Sequence, residues 1–116
     1  MILDSPKLTG NPVETAVAKG NVTGSTSIDL ALGSYFTATV TGTTVINLSS
    51  TGANGGIRGV MIKLVNPGVG TLTFSPAVKW AGGTAPTFTA SGVDFLNIFS
   101  DDGVNFYGSL ALKDAK

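Results

Sequence analysis

The side chains that carry most enzyme chemistry are missing or isolated in this chain. It has no cysteine and no histidine, which removes thiolate nucleophiles, disulfides, thiolate metal sites and imidazole bases. Glu14 is its only glutamate, so a paired-carboxylate mechanism would need aspartates far apart in sequence. Serine and threonine are plentiful, yet only lysine remains to activate them, and neither S-x-x-K nor G-x-S-x-G occurs. Asp101, Asp102 and Asn105 sit together, but without the D-x-D-x-D-G-x5-E spacing of a calcium loop; acidic residues there suit a turn. The glycine-rich stretch at 51–56 is followed by Arg58 and not by the G-K-[ST] of a phosphate loop. The residues therefore point away from an enzyme, a metal site and a bound cofactor.

What remains is surface chemistry. Trp80 stands beside Gly82-Gly83, where an indole closes a core, forms an interface or stacks on a sugar. The basic residues are scattered singly, which argues against a nucleic-acid surface. No apolar run approaches the roughly 20 residues of a membrane helix, and Met1-Ile2-Leu3-Asp4 does not resemble a secretory signal. The two sequons at Asn21 and Asn47 are accordingly read as chance. Charged residues make up only 12 % of the chain and the formal net charge is zero. A chain with about half the usual charge and no net repulsion is suited to life in an assembly.

The elements that would position these residues read as strands. Val93 to Ser100 and Val104 to Leu112 are apolar, aromatic-rich runs joined at Asp101-Asp102-Gly103, the pattern of a hairpin. In the first run Leu96 and Ile98 point one way and Val93, Phe95 and Phe99 the other, which predicts a strand inside a sheet and covered on both faces. Further period-2 alternations occur at Ile28–Leu32, Phe36–Val40, Val60–Leu64 and Leu72–Phe74. Thr41-Gly42-Thr43-Thr44 interrupts one of them as a hairpin or a bend. Thr87-Phe88-Thr89 predicts a brief extra strand. About eight short strands without a tandem repeat predict a single antiparallel β-sandwich or jelly-roll-like domain over 21–116, and argue against a propeller or solenoid. Residues 1–20 differ in texture. Pro6 and Pro12 disfavour helix, and the segment reads as an extended arm with Leu3, Leu8 and Val13 available to a partner.

Two segments resemble proteins of tailed-bacteriophage virions. A β-domain common in such proteins carries K-W-x-G-G-x-x-P-T-x-T, then an apolar strand, a D-G turn and an aromatic strand. The matching residues here are Lys79, Trp80, Gly82, Gly83, Pro86, Thr87 and Thr89, then Phe95, Leu96, Asp102, Gly103, Tyr107 and Gly108. The leading SPKLTGNP is similar to an S-P-x-x-T-G-x-P element of tail-fibre chains, at Ser5, Pro6, Thr9, Gly10 and Pro12. The resemblance implies a virion structural protein, commonly trimeric, assembled in the host cytoplasm. A single short domain with an N-terminal arm is closer in plan to a capsid-decorating (cement) protein than to a long repetitive fibre. The expected partners are further copies of the chain, as a homotrimer, and other virion proteins of the capsid or tail, not nucleic acid or membrane. Tyr35, Met61, Val65 and Trp80 are the candidate oligomer interface, and Leu3, Pro6, Leu8, Pro12 and Val13 the candidate attachment arm. The alternative is a tail or fibre module that recognises a host-surface glycan through Trp80 or Tyr107.

Overall fold

The computed structural model describes residues 16–51 and 57–115. Seven strands make one sheet: β1 (Val17–Asp29), β2 (Tyr35–Ser49), β3 (Arg58–Val65), β4 (Leu72–Ser75), β5 (Val78–Trp80), β6 (Val93–Ser100) and β7 (Phe106–Leu112). The described helical elements are two short 3-10 turns, Leu30–Leu32 and Ala81–Gly83.

β1 and β2 pair in parallel, with Val17 opposite Phe36 and Asp29 opposite Ser49. The chain must therefore return from the end of β1 to a point beside its beginning, and only residues 30–34 are available for the return. The steps from Asp29 to Tyr35 reach about 20 Å at most, whereas a straight strand as long as β1 would run to about 40 Å. The pair cannot be straight. β1 and β2 curl back together as successive turns of one coil.

The corners of that coil are written in the backbone. Gly20 and Gly24 take φ of 71° and 74°, which glycine adopts without the Cβ clash of other residues. The β1–β2 register shifts at these two places, between Ala18 and Asn21 and between Val22 and Gly24. β3 and β4 then pair with successive parts of β2: Tyr35–Thr39 lies along Met61–Val65, and Thr44–Asn47 along Leu72–Ser75. Successive corners touch. A Cβ on Gly42 would lie 2.8 Å from Thr23 Oγ1, and one on Gly70 would lie 2.6 Å from the Thr43 nitrogen. The Thr44 N–H donates to the Thr71 carbonyl at 2.9 Å, and the buried Thr44 hydroxyl donates to the Gly42 carbonyl at 2.9 Å. The Thr41 hydroxyl donates to the Val22 carbonyl at 3.2 Å. β6 adds to β3 antiparallel, β7 to β6 antiparallel, and β5 to β7 parallel.

Alternate side chains of the sheet point into this coil and form the core. Phe36, Ile62 and Leu96 make one row across β2, β3 and β6, each 0 % exposed. Val40, Ile46, Leu64, Ile98 and Phe106 are buried beside them. Phe74, Trp80 and Phe88 pack against this cluster, with Trp80 edge-on to Phe74 and Phe88 at centroid distances of 5.8 and 6.4 Å, a geometry that ring quadrupoles favour.

The all-β class stands, but the arrangement differs from a purely antiparallel sandwich: the sheet is mixed, and its path through β1 to β4 is that of a short solenoid. No repeat is visible in the sequence because the coils differ in length, with partners 19 residues apart at Val17 and Phe36 but 28 apart at Thr44 and Leu72. Thr41–Thr44 is a corner and not a hairpin. The alternation at Ile28–Leu32 is not one strand; Asp29 accepts the Ala31 N–H at 2.9 Å and turns Leu30–Leu32 into a 3-10 bend. Residues 87–89 stay outside regular strands. β1 begins at Val17, inside the segment expected as an arm, while Leu3, Pro6, Leu8, Pro12 and Val13 lie outside the described residues. β6 is interior to the sheet, yet its second face is open, with Phe99 42 % exposed.

Two substitutions test this architecture. Leu96→Ala removes the end of the buried row and is expected to cost about 2–5 kcal/mol in chemical denaturation. Gly70→Ala forces a methyl against the neighbouring corner's backbone and is expected to cost about 1–3 kcal/mol, whereas a flat sheet without stacked corners would tolerate it.

Candidate interaction surface

The outward side chains of β2, β3, β6 and β7 form a second face that no other described element covers. Strand register arranges them in rows. The middle row is Tyr35, Met61, Asn97 and Ser109. On one side of it lie Thr37, Lys63, Phe95 and Leu112, and on the other Gly59, Phe99 and Tyr107. Leu112 is 57 % exposed, and Tyr35, Met61, Phe95 and Tyr107 are half-buried. Phe99 and Tyr107 stack on each other with centroids 5.3 Å apart. Gly59, directly opposite Phe99, contributes no side chain, and a notch of about 390 Å³ opens there, lined by Ser34, Met61, Asn97, Phe99 and Ser109 among others.

The carboxylates near this sheet are engaged in holding backbone. Asp94 is fully buried on β6 and accepts the Thr89 N–H, the Thr89 hydroxyl and the Asp114 N–H, each at 2.8 Å. It thereby ties the 84–92 loop and the chain end to the sheet. Burial pushes its carboxyl pKa up most strongly, but these donors, with the Lys113 charge, together hold it below the usual carboxylate value. Asp29 is lowered chiefly by the Thr51 hydroxyl, which donates at 2.7 Å, and next by the Ala31 N–H. Arg58 completes that junction by donating to the Thr51 carbonyl at 2.7 Å. At the β6–β7 turn, Asp102 accepts the N–H groups of Asn105 and Val104 at 2.8 Å and the Asn105 amide at 2.7 Å. The Asn105 backbone donor, followed by that of Val104, takes its pKa down to about 2. The Asp101–Asp102–Asn105 group is thus a self-closed turn whose donors fill the Asp102 oxygens. No group of three or more potential metal-ligating side chains occurs among the described residues.

The residues singled out from the sequence separate into two places. Tyr35, Met61 and Val65 share the open face, Tyr35 directly opposite Met61. Trp80 does not join them. It points to the other side, where its ring lies 3.0 Å from the position a Gly108 Cβ would take, next to Ile98 and Val78. Tyr107 faces outward on Phe99, so Trp80 and Tyr107 lie on opposite sides of the sheet and do not make one platform. Phe95, Phe99, Gly59 and Lys63 complete the face and escaped the sequence reading as a group. The signal was present in the two-sided apolarity of Val93–Phe99, but its meaning depended on which strand flanks it.

Comparison of the chain with family models, curated proteins and solved structures finds no match. No helix among the described residues is long and apolar enough to cross a membrane.

Asp94→Asn exchanges an oxygen that accepts N–H groups for an amide that opposes them, and is expected to cost on the order of 3 kcal/mol. The folded pKa lies below the unfolded value of 3.8. The stability it contributes is therefore complete above that value and is lost as pH falls through the folded pKa. Acid titration of stability should show this loss in the wild type and a shallower slope in Asp94→Asn.

Proposed function

We propose that this chain is a structural protein of a tailed-phage virion, a small capsid-decorating protein that docks through its N-terminal segment and associates with further copies of itself. The observation that carries the assembly reading is the open apolar face of β2, β3, β6 and β7, centred on Met61 and flanked by the Phe99–Tyr107 stack. A chain with zero net charge and 12 % charged residues has little repulsion to keep such faces apart. The virion setting rests on the resemblance of the Lys79–Gly108 block and of the SPKLTGNP leader to phage virion chains. The stacked-corner coil suits the role, because a rigid surface loses little conformational entropy on docking.

Deletion of residues 1–15 stops short of β1. It is expected to leave the melting temperature nearly unchanged and to abolish incorporation when the protein is added to undecorated particles. Normal decoration by the truncated chain would overturn the arm's role. The second reading, a tail or fibre module that binds host glycan, is favoured only by the solvent-facing Tyr107 ring. It requires sugar binding by the free protein that is lost in Tyr107→Ala, and the position of the chain's density in a particle map separates capsid from tail.

A further inference from the structure

We infer that the open face is an isologous interface, two-fold in place of the threefold association expected from the resemblance, on which a second copy of this chain sits with its strands reversed about an axis running along the Tyr35–Met61–Asn97–Ser109 row. The inference rests on the self-association reading above and names the surface and the symmetry that would carry it. An axis in that direction lays the row of Lys63, Phe95 and Leu112 in one copy over the row of Gly59, Phe99 and Tyr107 in the other. Each feature then meets its complement. Lys63 has the only charged side chain in these three rows, and it falls over the notch at Gly59, where a long side chain has room. Its ammonium there lies beside the Phe99–Tyr107 rings, whose faces attract cations. The exposed turn carrying Asp101 and Asp102 follows Phe99 by two residues at that same end. One end of the face thus carries Lys63 and the other the Phe99–Tyr107 stack beside the Asp101–Asp102 turn, with the Arg58 of that end engaged by Ser50 and Thr51, and a two-fold joins opposite ends twice.

The size of the face sets the expected strength. Four strands span about 19 Å and the eight residues of β3 about 26 Å, so two copies together cover roughly 1,000 Å², the lower edge of specific interfaces. An interface of that size is smaller than those of obligate dimers, and about micromolar association is the expectation put to the test.

Light scattering and sedimentation over about 1 to 500 µM protein test this, bracketing the expected midpoint. The mass should rise from one chain to two. Gly59→Lys fills the notch and sets a second ammonium against the incoming Lys63; its Cβ meets Phe99 Cβ at 3.4 Å and the Ile98 carbonyl at 3.7 Å, ordinary contacts, so the variant should fold and melt as the wild type does in dilute solution. It should remain one chain throughout. Lys63→Glu should weaken association by tenfold or more, and Asp101→Lys added to it should restore part of the loss, which a merely hydrophobic contact would not do. A mass of one chain at all concentrations, a mass of three, or undiminished association by Gly59→Lys would overturn the inference. A monomeric wild type that decorates particles would give the face to a capsid partner and leave the proposed function standing. A dimer that never decorates would do the reverse.

Discussion

Everything in this fold follows from one demand of connectivity: β1 and β2 lie side by side in parallel with five residues between them. Parallel neighbours ordinarily need a long crossover, often a helix on the sheet's face. Here the strands themselves make the crossover by turning corners, so the sheet encloses its own core without a helix or a second sheet. The corner glycines carry this arrangement. Gly20 and Gly24 supply left-handed backbone, and Gly42 and Gly70 let one turn lie against the next without an intervening Cβ. The threonines around them meet the backbone groups that a bent ladder would leave unpaired.

A coil of this kind has an inside that is filled and an outside that is exposed, which explains how the chain uses its apolar residues. Phe36, Ile62 and Leu96 complete the inside. Met61, Phe95 and Phe99 are one residue out of phase, and no described element of the chain covers them. The aspartates are drawn in to replace missing backbone partners: Asp94 at the chain end, Asp29 at the first return and Asp102 in the hairpin turn. A protein with so few charges uses half of its six aspartates in this way.

Much of this was legible in advance, and the failures share a cause. Period-2 alternation located β2, β3, β4 and β6 and the inward pointing of Leu96 and Ile98, because alternation reports burial directly. Strand direction leaves no such mark. A glycine after Thr41 looks the same whether the chain reverses or turns a corner, and only the position of Thr71 against Thr44 distinguishes the two. Ile28, Leu30 and Leu32 continued the alternation past the end of β1 because Asp29 caps the bend locally, an effect of one side chain that periodicity does not register. For the open face, the residues were visible and their neighbours were not: Tyr35, Met61 and Val65 stood out singly, while Gly59 gained meaning only opposite Phe99. For Trp80 the sequence left core, interface and sugar contact as alternatives; the absent side chain of Gly108 is what lets it lean inward.

The kinks in β1 have a bearing on what the molecule avoids. β1 is the last strand in the sheet order, bonded on one side only among the described residues, and its 13 residues hold two charged side chains, Lys19 and Asp29. A free edge so long and so weakly charged is ordinarily a template on which foreign strands add and fibrils grow. Gly20 and Gly24 break it into short runs that change direction, so a straight incoming strand registers with no more than a few residues before its partner turns away. The bends that close the coil also deny the edge to polymerisation, a protection achieved by shape where other proteins use lysine.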